Sequence, residues 1–350
     1  MVLPSHGSPC PSAAVVVAAA LWLSVHCQAV RLRHVQLKNQ TVNATKFQCL
    51  NRFTPTQGMG GRLSAFAGGE VCTADSYHPS DLEIGFMHNA NAWTNDQPTL
   101  CSHLAKKEWV TENQAGNGMA SSTFSRMCRN GEHPQVLEPL AGILRDPRYL
   151  CPDNYRFLLF SIDWLVLADS KSIPMPASSK RYFFDAGGTH FMDAMQFFTS
   201  KYQERGIVFD HIYVWEAVYQ TVDMYWSGTP PATRAFWEPR LSFFNGVPVT
   251  SDPADHINNP VNRIHQLCGV KDFCAFKLDI DTPSVELPIV NQLLANPAAT
   301  RASLDEFFFE HHVHGLMQNN WGDAVEGTFA DSYQMFGQLR QLGVRAHSWI

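Results

Sequence analysis

Residues 181–190 read RYFFDAGGTH. Tyr182, Phe183 and Phe184 form a short aromatic run that suits a buried strand. Asp185 stands at the end of that run, and Gly187 and Gly188 permit a tight turn with close approach to the backbone. Residues 191–205 then place Phe191, Ala194, Met195, Phe198 and Tyr202 at helical spacing on one face. A strand, a glycine turn and a helix in this order open a βαβ unit. The helix N-terminus of such a unit offers free N–H groups and positive dipole character to a ligand.

The pattern continues downstream. Residues 212–215 (IYVW) read as a second strand, ending in Glu216. A carboxylate at that tip suits the two hydroxyls of a ribose. The turn is not GxGxxG, so a dinucleotide pyrophosphate and a nicotinamide-dependent oxidoreductase are disfavoured. Further strands are expected at 241–244, 273–280, 307–309 and 344–350, with helices at 286–294 and 332–341. This alternation implies a mainly parallel α/β sheet with helices on both faces and ligands at the carboxyl ends of the strands.

Two more tips carry chemistry. Asp279 and Asp281 would share a face if their strand persisted. They could hold a cation, act as a general base or grip a cofactor; a helix N-cap is the plain alternative for Asp281 or Ser284. Glu310-His311-His312-Val313-His314 follows the next strand. If extended, it puts Glu310, His312 and His314 on one face and His311 on the other. The cluster could supply a base near neutral pH or a metal ligand. The HxH spacing does not establish a metal, and none is assigned.

Composition bounds the class. The chain has 350 residues, 45% hydrophobic and 17% charged, which suits about two domains and excludes global disorder. The 26 Lys+Arg against 32 Asp+Glu give a net charge of −6, without a basic stripe, so nucleic acid is not an expected partner. Residues 1–29 hold no Lys, Arg, Asp or Glu, and 13–23 are uniformly apolar. That run is short for a membrane span and suits a secretory signal, with an uncleaved anchor as its rival. Sequons at Asn39 and Asn43 and the cysteine usage agree with the secretory lumen or secretion. Membrane attachment is expected only if the leader is retained. Residues 30–135 read as loop-rich and possibly disulfide-braced, 136–180 as a helical lead-in, and 181–350 as the α/β domain.

The segments YFFDAGGTHF, FDHIYVWEA, FKLDIDTPSVE, FFFEHHV and LRQLGVRAHSW, in that order over residues 181–350, resemble the FkbM-type class I methyltransferases, which use S-adenosylmethionine. The resemblance implies a Rossmann-like class I methyltransferase sheet. It implies that Asp185, Gly187 and Gly188 cradle the methionine end of the cofactor and that Glu216 holds its ribose. Asp279, Asp281 and Glu286 fall on the family's acidic stretch after the fourth strand, and Glu310 on an acid after the fifth. The activity implied is O-methylation of a hydroxyl on a sugar, glycan or other small molecule. Asp281, His311 or His312 would take the proton, while Asp279 helps hold cofactor or acceptor. Two other readings stay open: a luminal metal-dependent glycosyltransferase using Asp279-Ile280-Asp281, and a non-catalytic secreted glycoprotein on a methyltransferase scaffold.

Overall fold

The computed structural model describes residues 71–88, 97–105, 123–144, 146–151, 162, 165–314 and 324–349. The leader, both sequons, Cys49 and most of the apolar block at 155–168 lie outside the described residues.

The N-terminal part holds a small antiparallel sheet of β1 (Ser76–His78), β2 (Ser125–Cys128) and β3 (Gln135–Leu137), in that order. Helices α1 (Asp81–His88) and α2 (Gln97–Leu104) accompany it. Disulfides join Cys72 to Cys128, Cys101 to Cys151 and, further on, Cys268 to Cys274. These cysteines are therefore paired, not buried free thiols. The helix expected at 136–150 is not formed. Its place is taken by β3 and two 3-10 turns, Gly142–Leu144 and Pro147–Leu150. Pro139 and Pro147 interrupt the backbone ladder, and Gly142 and Leu144 adopt φ of 54° and 60°, which no α-helix accommodates.

From residue 181 the expected alternation is realised. β4 (Arg181–Ala186) leads through a π-turn (Phe191–Met195) into α3 (Gln196–Glu204). Phe191, Met195, Phe198 and Tyr202 are fully buried, as their spacing requires. β5 (His211–Glu216) is followed by α4 (Val222–Tyr225) and α5 (Pro231–Trp237), then β6 (Leu241–Asn245) and α6 (Pro260–Leu267). β7 (Phe273–Leu278) leads to α7 (Pro283–Ala295) and α8 (Pro297–Ser303). β8 (Glu306–Phe309), α9 (Phe329–Gln341) and β9 (Arg345–Ser348) complete the series. Proline at the first turn of α6, α7 and α8 starts each helix where the missing N–H costs nothing.

The six strands lie in the order β6-β5-β4-β7-β8-β9, and every pair is parallel. This is compatible with a Rossmann-like fold. The order reverses between β4 and β7, and the carboxyl ends of strands at such a reversal are where open parallel sheets bind ligands. β7 and β8 are buried at every residue, as strands covered on both faces are, whereas β6 is half-exposed along its length as an edge. β9 is also an edge yet fully buried. The N-terminal sheet explains this. Arg345 donates to Gln135 Oε1 (2.5 Å), and His347 Nδ1 meets Glu138 Oε1 (2.7 Å). Arg340, buried in α9, reaches Glu83 (3.3 Å) and Glu138 (2.8 Å). The loop-rich region thus covers an open sheet edge with a buried ionic network. Among the described residues, no helix is long and apolar enough to cross a membrane.

Candidate functional site

The turn after β4 is held from two sides. The N–H groups of Gly187 and Gly188 both donate to the carbonyl of Trp215 (3.0 and 3.1 Å), which locks the turn to the tip of β5. Gly187 has φ +94°, and a Cβ there would sit 1.7 Å from the carbonyl oxygen of Asp279. A Cβ on Gly188 would lie 2.2 Å from Val214 Cγ1 and 2.7 Å from Asp185 Oδ2. Both glycines are thus demanded by the chain's own packing, a stronger reason than the ligand approach expected from the sequence.

Next to the turn stands Glu216, 6% exposed. The Thr189 hydroxyl donates to its Oε2 (3.1 Å) and the Val218 N–H to its Oε1 (2.7 Å). Gln220 donates through Nε2 to the Thr189 carbonyl (2.5 Å), and its backbone exchanges hydrogen bonds with the Asn245 side chain at the tip of β6. The tips of three neighbouring strands are therefore knitted together, and Asp185 and Glu216 stand on adjacent ones, as expected. The helical segment that follows starts at His190 without a side-chain cap, and the Asp193 N–H turns back to the His190 carbonyl (3.2 Å) at a kink in the backbone. The Tyr225 hydroxyl is buried without a hydrogen-bond partner. Burial raises its pKa well above the usual range, and the charges of Asp185 and Asp193 add to that.

Beneath the turn lies an ion pair that the sequence reading missed. Lys277 of β7 donates to Asp185 Oδ1 (3.2 Å) and also meets Asp279 Oδ2 (3.1 Å). Lys277 and Asp185 side chains are 2% and 1% exposed. Burial pulls Lys277 down, but Asp185 and Asp279 outweigh it and hold the ammonium above its ordinary value. Asp185 therefore supports the turn from below; its carboxylate is spent on Lys277. The sequence held a signal: a lysine in an otherwise apolar strand, in register with an aspartate on its neighbour.

Asp279 and Asp281 do not share a face. The strand stops at Leu278, and Asp281 takes φ +54°, so the two residues do not alternate along an extended strand. Asp279 turns to Lys277. Burial, with the nearby Glu310 and Asp281 charges, pushes Asp279 up to about 7 against the pull of that lysine. Glu286, buried in the first turn of α7, accepts from the N–H groups of Ile280 (2.9 Å) and Thr282 (3.1 Å) and so fixes the loop. Burial pushes Glu286 up to about 7 as well.

The two histidines after β8 separate. His311 stacks on Phe309 (5.3 Å between centroids) and its Nδ1 meets Ser332 Oγ of α9 (2.5 Å). Burial drives His311 down to about 4. It is a neutral core residue, and the role of proton acceptor expected for it is withdrawn. His312 faces the other way. Its Nε2 lies 3.3 Å from Glu310 Oε2 and 3.7 Å from Asp281 Oδ1. Burial would lower its pKa, and Glu310, Glu286 and Asp281 raise it on balance. Nδ1 meets the Ala324 carbonyl (3.1 Å), so in the neutral ring the proton sits on Nδ1 and Nε2 is the basic atom. His314 is exposed at the far end of the segment. The strand tips thus yield two groups of side chains, one around the turn and Glu216, the other joining Asp281, Glu310 and His312. The chain matches no family model, no curated protein and no solved structure.

Proposed function

We propose that the chain is an S-adenosylmethionine-dependent methyltransferase of the FkbM-like class I type, acting on a hydroxyl of a sugar, glycan or other small molecule. The observation that carries this reading is the pairing of the glycine turn after β4 with Glu216 at the tip of β5, bridged by Thr189 at 3.1 Å. The turn lies at the sheet's reversal point, where ligands of parallel sheets bind. The chemistry of the donor set fits. Glu216 offers a carboxylate for ribose hydroxyls at the tip next to the turn. The orphaned Tyr225 hydroxyl beside the turn offers one further hydrogen bond.

When bound, such a cofactor supplies an electrophilic methyl group on a sulfonium. The chain's own task is to align the acceptor oxygen with that methyl and to receive the acceptor's proton. His312 Nε2, with Asp281 and Glu310 beside it, is the group that receives it. Lys277 and Asp185 keep the turn in place from beneath.

The paired cysteines agree with an oxidising compartment. Less supports the glycosyltransferase reading, because a shared cation needs both Asp279 and Asp281 and Lys277 already pairs with Asp279. Thermal-shift measurements with S-adenosylmethionine, S-adenosylhomocysteine, a nucleotide sugar with manganese, and NAD test the proposal. Stabilisation by the first two alone is expected. Stabilisation only by the nucleotide sugar would reject it, and so would no stabilisation by any ligand.

A further inference from the structure

We infer that Asp281, Glu310 and His312 hold a divalent cation at the carboxyl ends of β7 and β8. One carboxylate oxygen from each acid and one ring nitrogen of His312 lie within 4.8 Å of one another, with two of the separations at 3.3 and 3.7 Å. Ligand atoms about 2.0–2.2 Å from one ion stand roughly 3–3.5 Å apart, which the two His312 separations nearly match, and the exposed Asp281 side chain can turn in to close the third. The histidine is built for the role. Its side chain is 3% exposed, and its Nδ1 is engaged by the Ala324 carbonyl, which orients the ring and aims the Nε2 lone pair at the two carboxylates. A cation between these three converging atoms would satisfy them together.

The exposures differ in a useful way. Glu310 is 14% exposed and Asp281 73%, so the site is walled on one side and open on the other. Three protein ligands with an open side leave coordination positions for a substrate oxygen, the arrangement of a catalytic rather than a structural metal. Two oxygens and one imidazole suit a borderline ion such as Mn²⁺ or Zn²⁺. The cation site needs no methyl donor. Its use rests on the proposed function and replaces one step of it: with the ion bound, His312 Nε2 is a ligand and no longer the base, and a hydroxyl bound to the ion loses its proton more readily, to bulk water.

The test titrates Mn²⁺, then Zn²⁺, into the full chain stripped with chelator, by calorimetry and by loss of the free Mn²⁺ resonance signal, without any methyl donor. Asp281→Asn and His312→Gln are the variants. Asparagine tolerates the left-handed backbone at position 281, so the first is expected to fold. One saturable site is expected in the wild type, weakened about tenfold or more in both variants. No saturable binding, or equal affinity in wild type and both variants, would overturn the inference; the first result would mean that a proton on His312 satisfies the carboxylates instead. S-adenosylmethionine is titrated separately. Its failure to bind, with Mn²⁺ binding intact, would remove the proposed function and leave the cation site standing.

Discussion

Lys277→Met removes the cation beneath the glycine turn and leaves Asp185 facing it almost fully buried. At 3.2 Å, and at an effective dielectric near 20, the contact contributes on the order of 5 kcal/mol before desolvation is counted. Removing one partner of a buried pair costs about 3–5 kcal/mol, because the other charge is stranded. Asp279 is less buried, with 23% of its side chain exposed, and its carboxyl, pushed up to about 7, takes a proton readily, so the cost falls mainly on Asp185. Urea unfolding of the oxidised protein at pH 7, followed by tryptophan fluorescence, reads the loss directly. The double variant Lys277→Met/Asp185→Asn should recover most of it. Burial already raises the Asp185 pKa, so the deficit of the single variant should shrink as pH falls and the carboxyl takes a proton. A loss under about 1 kcal/mol, or a double variant no more stable than the single one, would refute the buried pair as the support of the turn.

Other outcomes follow from the same coordinates. Gly187→Ala should abolish folding, since its Cβ would lie 1.7 Å from the Asp279 carbonyl at φ +94°, whereas Gly337→Ala in α9 meets nothing within 4 Å and should add about 0.5–1 kcal/mol. Circular dichroism and urea midpoints check both, and a well-folded Gly187→Ala would contradict the turn geometry. His347 bridges Glu138 (2.7 Å) and Glu306 (2.8 Å); despite burial, these acids raise its pKa above 6.5, while Glu138 and Glu306 are held below 4.5 by His347 and the buried arginines, also against burial. The histidine's stabilisation is complete below pH 6.5 and is lost as pH rises through its raised folded value; that of the glutamates is complete above 4.5 and is lost on acidification. This network is therefore strongest between about pH 4.5 and 6.5, and His347→Gln should flatten the decline in urea midpoint above 6.5. Parallel midpoint curves for wild type and variant would exclude it.

The large sheet was legible because its strands are apolar runs, such as Phe273 to Phe276, bounded by turn residues, and because buried strands carry little else. The positions of Asp185 and Glu216 are legible because a charged residue closing an apolar run marks the carboxyl end of a strand, although both carboxylates are themselves buried. The apolar content of 136–150 suits a helix, but Pro139, Gly142 and Pro147 break it into β3 and two 3-10 turns. Strand-tip geometry was also beyond reach. The alternating pattern through Asp281 suits a continued strand, whereas β7 ends at Leu278 and Asp281 takes a positive φ that no local pattern signals. The sequence does oppose His311 to His312, but which one meets Ser332 and which one meets Glu310 depends on the placement of α9. The N-terminal strands are three or four residues long and are fixed by distant partners such as Arg340, a pairing that no local pattern reveals.

Calorimetric titration of S-adenosylmethionine into wild type and Glu216→Ala asks most directly whether an adenine-linked methyl donor lies between the turn at Gly187 and the carboxylate of Glu216. Saturable one-to-one binding by the wild type is expected, with affinity about tenfold or more weaker in the variant, equivalent to about 1.4 kcal/mol. No binding by the folded wild type, or equal affinity in the two proteins, would contradict it.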